Sequence, residues 1–292
     1  MKVAPREYSG PAELESRRSK TKGERRLTYR LKERRMKNKD WLIILVALAA
    51  PVVLFIFFNA IPQSLEYHDF ADKRTFFSVP NANDVLSNIP FALAGIFGMV
   101  CVFKLFKANG FDVLLLHYFI FFIGIFLAGF GSAYYHYNPT NSTLVWDRLP
   151  MTIAFMAFFS SVIGEMINKK ISGILLLPLL LIGLGSVVYW KWTEQAGQGD
   201  LRAYALVQFL PILLSVLIIC FYKAPENYLR YIIALMLFYF LSKLCEFFDA
   251  ELFYIFKIVS GHTLKHIFGA IGCTCVGCML LKRNSIQVAI CE

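Results

Sequence analysis

Charged residues make up only 17% of this 292-residue sequence, where an ordinary soluble domain has about 25%. Histidine is scarcer still, with five copies. No internal repeat is present. Nothing resembles H-E-x-x-H, G-x-S-x-G or a phosphate-binding loop. The shortage of charge excludes an ordinary soluble enzyme, a disordered chain and a basic nucleic-acid domain. The missing motifs leave any chemistry to be found from spacing alone.

Apolar residues account for 57% of the chain, and the net charge is +10. The charge is unevenly placed. Residues 1–40 hold 14 Lys/Arg and 6 Asp/Glu, so this segment carries +8 and the other 252 residues carry +2. A basic tail on a multi-span membrane protein reconciles the two figures. Seven cysteines are present, six of them in or beside apolar stretches, which does not read as an oxidised scaffold.

Eight segments are long and apolar enough to cross about 30 Å of hydrocarbon as helices. They are 41–61, 85–106, 113–136, 148–168, 172–191, 203–222, 229–248 and 261–281. Basic residues fix the expected direction. The tail places the N-terminus in the cytoplasm, and an even number of spans returns the C-terminus there. Lys104/Lys107, Lys169/Lys170, Lys223/Arg230 and Lys282/Arg283 all fall on connections that this topology puts inside. Acids such as Glu66, Asp69, Asp72, Glu194, Asp200, Asp249 and Glu251 fall outside. Residues 1–40 read as a disordered tail whose Arg pairs suit anionic lipid head groups, with no nucleic-acid partner. No obligatory protein partner is expected.

Ionisable groups inside a membrane are costly and mark candidate sites. His262 and His266 are four apart, which stacks them on one helix face about 6 Å apart along the axis. Ser132 and His136 share a face in the same way, and Asp147 opens the next span. Counting spans brings all five to one depth, near the outer leaflet. Three imidazoles match a zinc with one open position, a carboxylate can serve as general base, and a hydroxyl can bond the metal shell or an oxyanion. A helical His pair is also found as a packed or proton-relay pair. The spacing does not separate a catalytic metal from a structural one in a receptor or transporter.

At these residues the chain resembles the alkaline ceramidase family, within a wider set of membrane hydrolases that includes the adiponectin receptors. The resemblance rests on Ser87-Asn88, Gly131-Ser132-Ala133-Tyr134-Tyr135-His136, Trp146-Asp147-Arg148-Leu149-Pro150-Met151-Thr152 and His262-Thr263-Leu264-Lys265-His266. It covers about residues 65–285. It implies a seven-helix core holding one Zn2+ on His136, His262 and His266, with Ser132 and Asp147 holding and activating its water. It also implies cleavage of ceramide amides to a sphingoid base and a fatty acid. A lipid esterase or phospholipase on the same scaffold is the neighbouring reading. Eukaryotic members carry a Ca2+ site before the first core helix. Its counterparts here would be Asp69, Asp72 and Asn81, although the spacing matches only in part and solvated loop acids give the same pattern.

The expected architecture is an all-α integral membrane protein. A basic tail (1–40), an extra transmembrane helix (41–61) and an outer loop (62–84) precede a seven-helix core (85–283) and a short C-terminal tail (284–292). Cys273, Cys275 and Cys278 read as small packing residues, too deep for the metal. Glu246, Asp249 and Glu251 read as solvated or paired with Lys243 or Lys257, with support of the site from behind its ligands as the alternative. Trp146, Tyr134 and Tyr135 read as an interfacial aromatic belt. Asn141-Ser142-Thr143 forms a glycosylation sequon.

Overall fold

The computed structural model describes residues 37–224 and 226–291. The Arg pairs assigned to anionic lipid lie in 1–36, outside the described residues. The chain divides into a short N-terminal unit ending at Ile44 and a second unit from Leu45 onward. Residues 37–44 open helix α1 (Asn38–Phe57), where Asp40 Oδ2 accepts from Lys37 N at 2.8 Å.

The second unit continues α1 and then forms a loop with one 3-10 turn (Leu65–His68). Nine further helices follow: α2 (Ala82–Leu86), α3 (Ile89–Asn109), α4 (Val113–Tyr137), α5 (Asn141–Met166), α6 (Lys169–Gln195), α7 (Arg202–Phe221), α8 (Glu226–Phe247), α9 (Asp249–Phe256) and α10 (Gly261–Cys291). Among the described residues there is no strand, only one bridge between Phe76 and Val79. Eight helical segments are long and apolar enough to cross a membrane, with α2 and α3 together forming one of them. Helices are the natural outcome, because a bilayer offers no water to backbone amides and carbonyls.

The apolar runs are punctuated by side-chain caps. Asp112 accepts from Leu114 N at 3.0 Å to start α4. Thr140 and Thr143 form a reciprocal capping box at α5. Asn168 accepts from Lys170 N and Ile171 N to start α6. Several helices outrun the spans read from hydropathy. Helix α6 takes in Lys169, Lys170 and Gln195, and the expected C-terminal tail is helical as far as Cys291. The expected outer loop ends earlier, since α2 begins at Ala82. Polar residues at a span's end leave the hydrocarbon without ending the hydrogen-bond ladder.

Helix α5 is the most enclosed of the eight, with 72% of its apolar window buried. It packs against α4, α6 and α7, while α10 packs against α3 and α8. Helices α7 and α8 share little contact. Tyr135, expected in an interfacial belt, is instead buried with Phe70, Leu144, Val187, Trp190 and Tyr204. Trp146 and Tyr134 remain exposed. Cys101, Cys220, Cys245, Cys273, Cys275 and Cys278 are free thiols.

The α4–α5 contact sets the depth of the site. Pro150 lies inside α5 and has no N–H to give the carbonyl four residues back, which is Trp146 O. Gly131 sits over that carbonyl, and a Cβ there would come within 2.0 Å of it. The missing side chain therefore lets the two backbones touch beside Ser132 and Asp147. Gly131→Ala is expected to force the helices apart and destabilise the protein by about 1–3 kcal/mol, read as a lowered thermal midpoint in detergent.

Candidate metal centre

The three-residue turn after α4 brings its last residues against the start of α5. His136 lies one residue from the end of α4, with Ser132 one turn further in. Asp147 is the seventh residue of α5 and lies at the depth of Ser132. His262 and His266 occupy the first two turns of α10. All five are buried, with relative exposures from 0% to 7%.

His136, His262 and His266 form a nearly equilateral triangle, with ring centroids 4.7, 4.8 and 5.0 Å apart. One ligand atom from each lies within 4.8 Å of the others, the one such His/Cys/Asp/Glu group of three or more among the described residues. His136 Nε2 and His262 Nε2 are 3.3 Å apart. Two ligands of a tetrahedral zinc stand about 3.3 Å apart, given Zn–N bonds of about 2.05 Å. His266 Nε2 and His136 Nδ1 are buried without a partner. Leaving such atoms unsatisfied is costly, and a metal ion at the centre of the triangle removes that cost for the nitrogen that faces it. The donor set thus fits a divalent metal with an open position.

Partners further out fix the rings. Ser87 donates its hydroxyl proton to Asp84 O at 3.0 Å. Its oxygen therefore accepts from His266 Nδ1 at 2.7 Å, which leaves Nε2 as the lone pair facing the centre. Asp249 Oδ1 accepts from His262 N at 2.6 Å, and its Oδ2 accepts from Ala71 N at 3.0 Å. One carboxylate thereby complements the positive end of α10 and pins the loop that carries Phe70. Phe70 covers the site, with its ring 4.6 Å from those of both His136 and His262. At Gly261 a Cβ would lie 2.1 Å from Cys245 O, so only glycine lets α10 start this close to α8.

Ser132 lies beside the Asp147 carboxyl across the α4–α5 contact. Both line a cavity of about 360 Å³ together with His266, and most of that cavity's wall is apolar. Glu246 is paired with Lys243 at 2.5 Å, one of the two readings expected for it, and with Lys265 at 2.7 Å as well. Its side chain is 18% exposed. Asp249 is spent on backbone amides rather than on a lysine. Lys265 also reaches His262 Nε2 at 3.1 Å, a position that the metal would take from it.

The residues considered for calcium do not act together. Asp69 is exposed and paired with Lys73. Asp72 is buried and bound by Arg74 at 2.6 Å and Asn83 at 2.8 Å. Burial pushes its carboxyl up, but the hydrogen bonds from Arg74 and Asn83 outweigh this and hold it below the usual range. Asn81 has a left-handed backbone and donates to His136 O at 2.9 Å. The three side chains thus serve an ion pair, a loop clasp and the backbone of the metal centre. Asn141, the sequon residue, is engaged at both ends of its amide, by His68 at 2.8 Å and Glu194 at 2.7 Å.

Ser87 and Lys265 are the participants that spacing does not assign. Lys265 had one signal, since it lies three residues after His262 and so shares its face. No protein-family model matches the chain, and no curated protein matches it. The functional reading therefore stands on this geometry and on the motif residues. Ser87→Ala is expected to weaken metal binding about 10- to 100-fold while preserving the fold, read by competition with a metal chelator.

Proposed function

We propose that this chain is a zinc-dependent membrane hydrolase that cleaves the amide of ceramide-type lipids to a sphingoid base and a fatty acid. The observation that carries the proposal is the meeting of three buried histidines with Ser132 and Asp147, at a cavity walled mainly by apolar side chains. The motif resemblance to alkaline ceramidases supports the same reading. An apolar cavity of this size suits alkyl chains, and a cluster of polar groups at one end suits an amide.

Zinc bound here would supply a Lewis acid and a water acidified to a pKa of about 7. The chain's own residues do the rest. Asp147 takes the proton of the attacking water and delivers it to the departing nitrogen, because an amine leaves only once protonated. Ser132 stands beside Asp147, where its hydroxyl can steady the carboxylate and bond the attacking water. Ser87 keeps the His266 ring turned so that Nε2 faces the centre. Phe70 shields His136 and His262 from water. In the topology expected from the basic residues, the centre faces the periplasm, an organelle lumen or the exterior, and both termini are cytoplasmic.

Purified protein should release free fatty acid from a panel of ceramides. His136→Ala, His262→Ala and His266→Ala should each lose zinc and activity together. Asp147→Asn should retain zinc while turnover falls about 10²- to 10⁴-fold. Full activity in the three histidine variants would sink the assignment, and so would a zinc-loaded protein that releases fatty acid from no ceramide.

A further inference from the structure

Six basic residues are partly or wholly buried around this end of the bundle; four of them have a carboxylate, and Lys191 donates to Ser142 Oγ at 3.1 Å. Lys243 and Lys265 share Glu246, Arg74 holds Asp72 and Arg202 holds Asp200. Arg148 does not follow the pattern. It is 5% exposed, and among the described residues no carboxylate lies within ion-pair distance of it. Its Nη2 donates to Gln63 Oε1 at 2.6 Å, while its Nη1 is buried with no partner.

Arg148 sits in an aromatic sleeve, with its guanidinium carbon 4.3 Å from the Trp190 ring centre, 4.5 Å from Tyr204 and 5.8 Å from Tyr67. Such faces attract a cation but accept no directed N–H hydrogen bond comparable to that of an oxygen. They leave a planar fork of donors held rigid and short of an acceptor. The same side chain lines the cavity that Asp147, Ser132 and His266 line. It follows Asp147 in the chain, and Tyr67 connects it to the metal centre. The Tyr67 hydroxyl donates to Glu246 at 3.4 Å, and Glu246 holds the lysine beside His262.

We infer that Arg148 is an anion-binding residue of this cavity, and that the lipid amide cleaved there carries an acidic group, a phosphate or carboxylate, on its amine-derived part. The guanidinium fork matches the paired oxygens of either group. Burying Arg148 without a counter-charge is costly in the free protein, and an anionic head group entering the cavity offsets that cost. This selects among lipid amides rather than adding a reaction, so it rests on the hydrolase reading. The anion site itself does not.

Two measurements separate them. The first is binding by the full chain in detergent. Dodecyl phosphate should raise the thermal midpoint of the wild type more than dodecanol does. Arg148→Gln should abolish that difference, and Arg148→Lys should keep part of it. Lys243→Gln is the control, since Lys243 also lines the cavity but is already paired. A phosphate response that survives Arg148→Gln, or that disappears only with Lys243→Gln, overturns the inference.

The second is hydrolysis. Ceramide 1-phosphate should have the higher kcat/KM when compared with ceramide, and Arg148→Gln should cut that ratio about 10- to 100-fold, the worth of a lost charge-assisted hydrogen bond. An equal fall for both lipids with loss of thermal stability would make Arg148 structural and overturn the inference. Dodecanoate stabilising as well as dodecyl phosphate, with no preference for the acidic amide, would assign the arginine to the product carboxylate and overturn the head-group claim. An Arg148-dependent phosphate response with no amide cleaved would uphold the anion site and remove the hydrolase reading.

Discussion

Three imidazoles enclosed among apolar helices impose the constraint on which the rest of the structure depends. Each ring carries two nitrogens that need a partner, and the hydrocarbon around the bundle offers none. The protein answers with groups brought from distant parts of the chain. Ser87, from the junction of α2 and α3, bonds a ring nitrogen of His266; Asn81, from the loop before it, and Asp249, from the start of α9, bond the backbone of His136 and His262, and Phe70 covers the rings. Two ring nitrogens remain unmet, His266 Nε2 on the side where the rings face one another and His136 Nδ1. The loop between α1 and α2 therefore belongs to the site as much as the helices do.

Charge around the centre follows the same economy. Glu246 neutralises two lysines at once, and Lys265 touches both that carboxylate and His262. Asp147 stands apart on α5, beside Ser132 of α4. Acid and base are thus kept on different helices and remain distinct, rather than collapsing into one ion pair. Arg148 points from the same helix into an aromatic wall. Two adjacent residues of one motif thus both line the cavity.

Much of this was legible in the sequence because it depends on spacing along single helices. The eight apolar runs, the His262/His266 stack and the Ser132/His136 stack all follow from the helical period. Their meeting at one depth follows from the count of spans. Partnerships between helices were not legible. That Ser87 turns His266 depends on α3 lying beside α10, and that Tyr135 is buried depends on Phe70 folding back from a loop. Hydropathy also misplaced the ends of helices. It measures the thickness of an apolar run, whereas residues such as Lys169 and Gln195 extend a helix beyond that run.

The backbone contact of Gly131 with Trp146 divides the molecule mechanically. At Gly131 helices α4 and α5 meet with no side chain between them, so sliding or tilting there would break that fit. Two of the three histidines stand on α10, which is packed between α3 and α8. The opposite wall is different in kind, because α7 and α8 share little contact and the cavity lies between them, bridged by Gln208 and Tyr239 at 3.4 Å. Parting these two helices would leave the triangle of rings undisturbed. The packing is thus tight beside the triangle of rings and loose between α7 and α8, where the cavity lies.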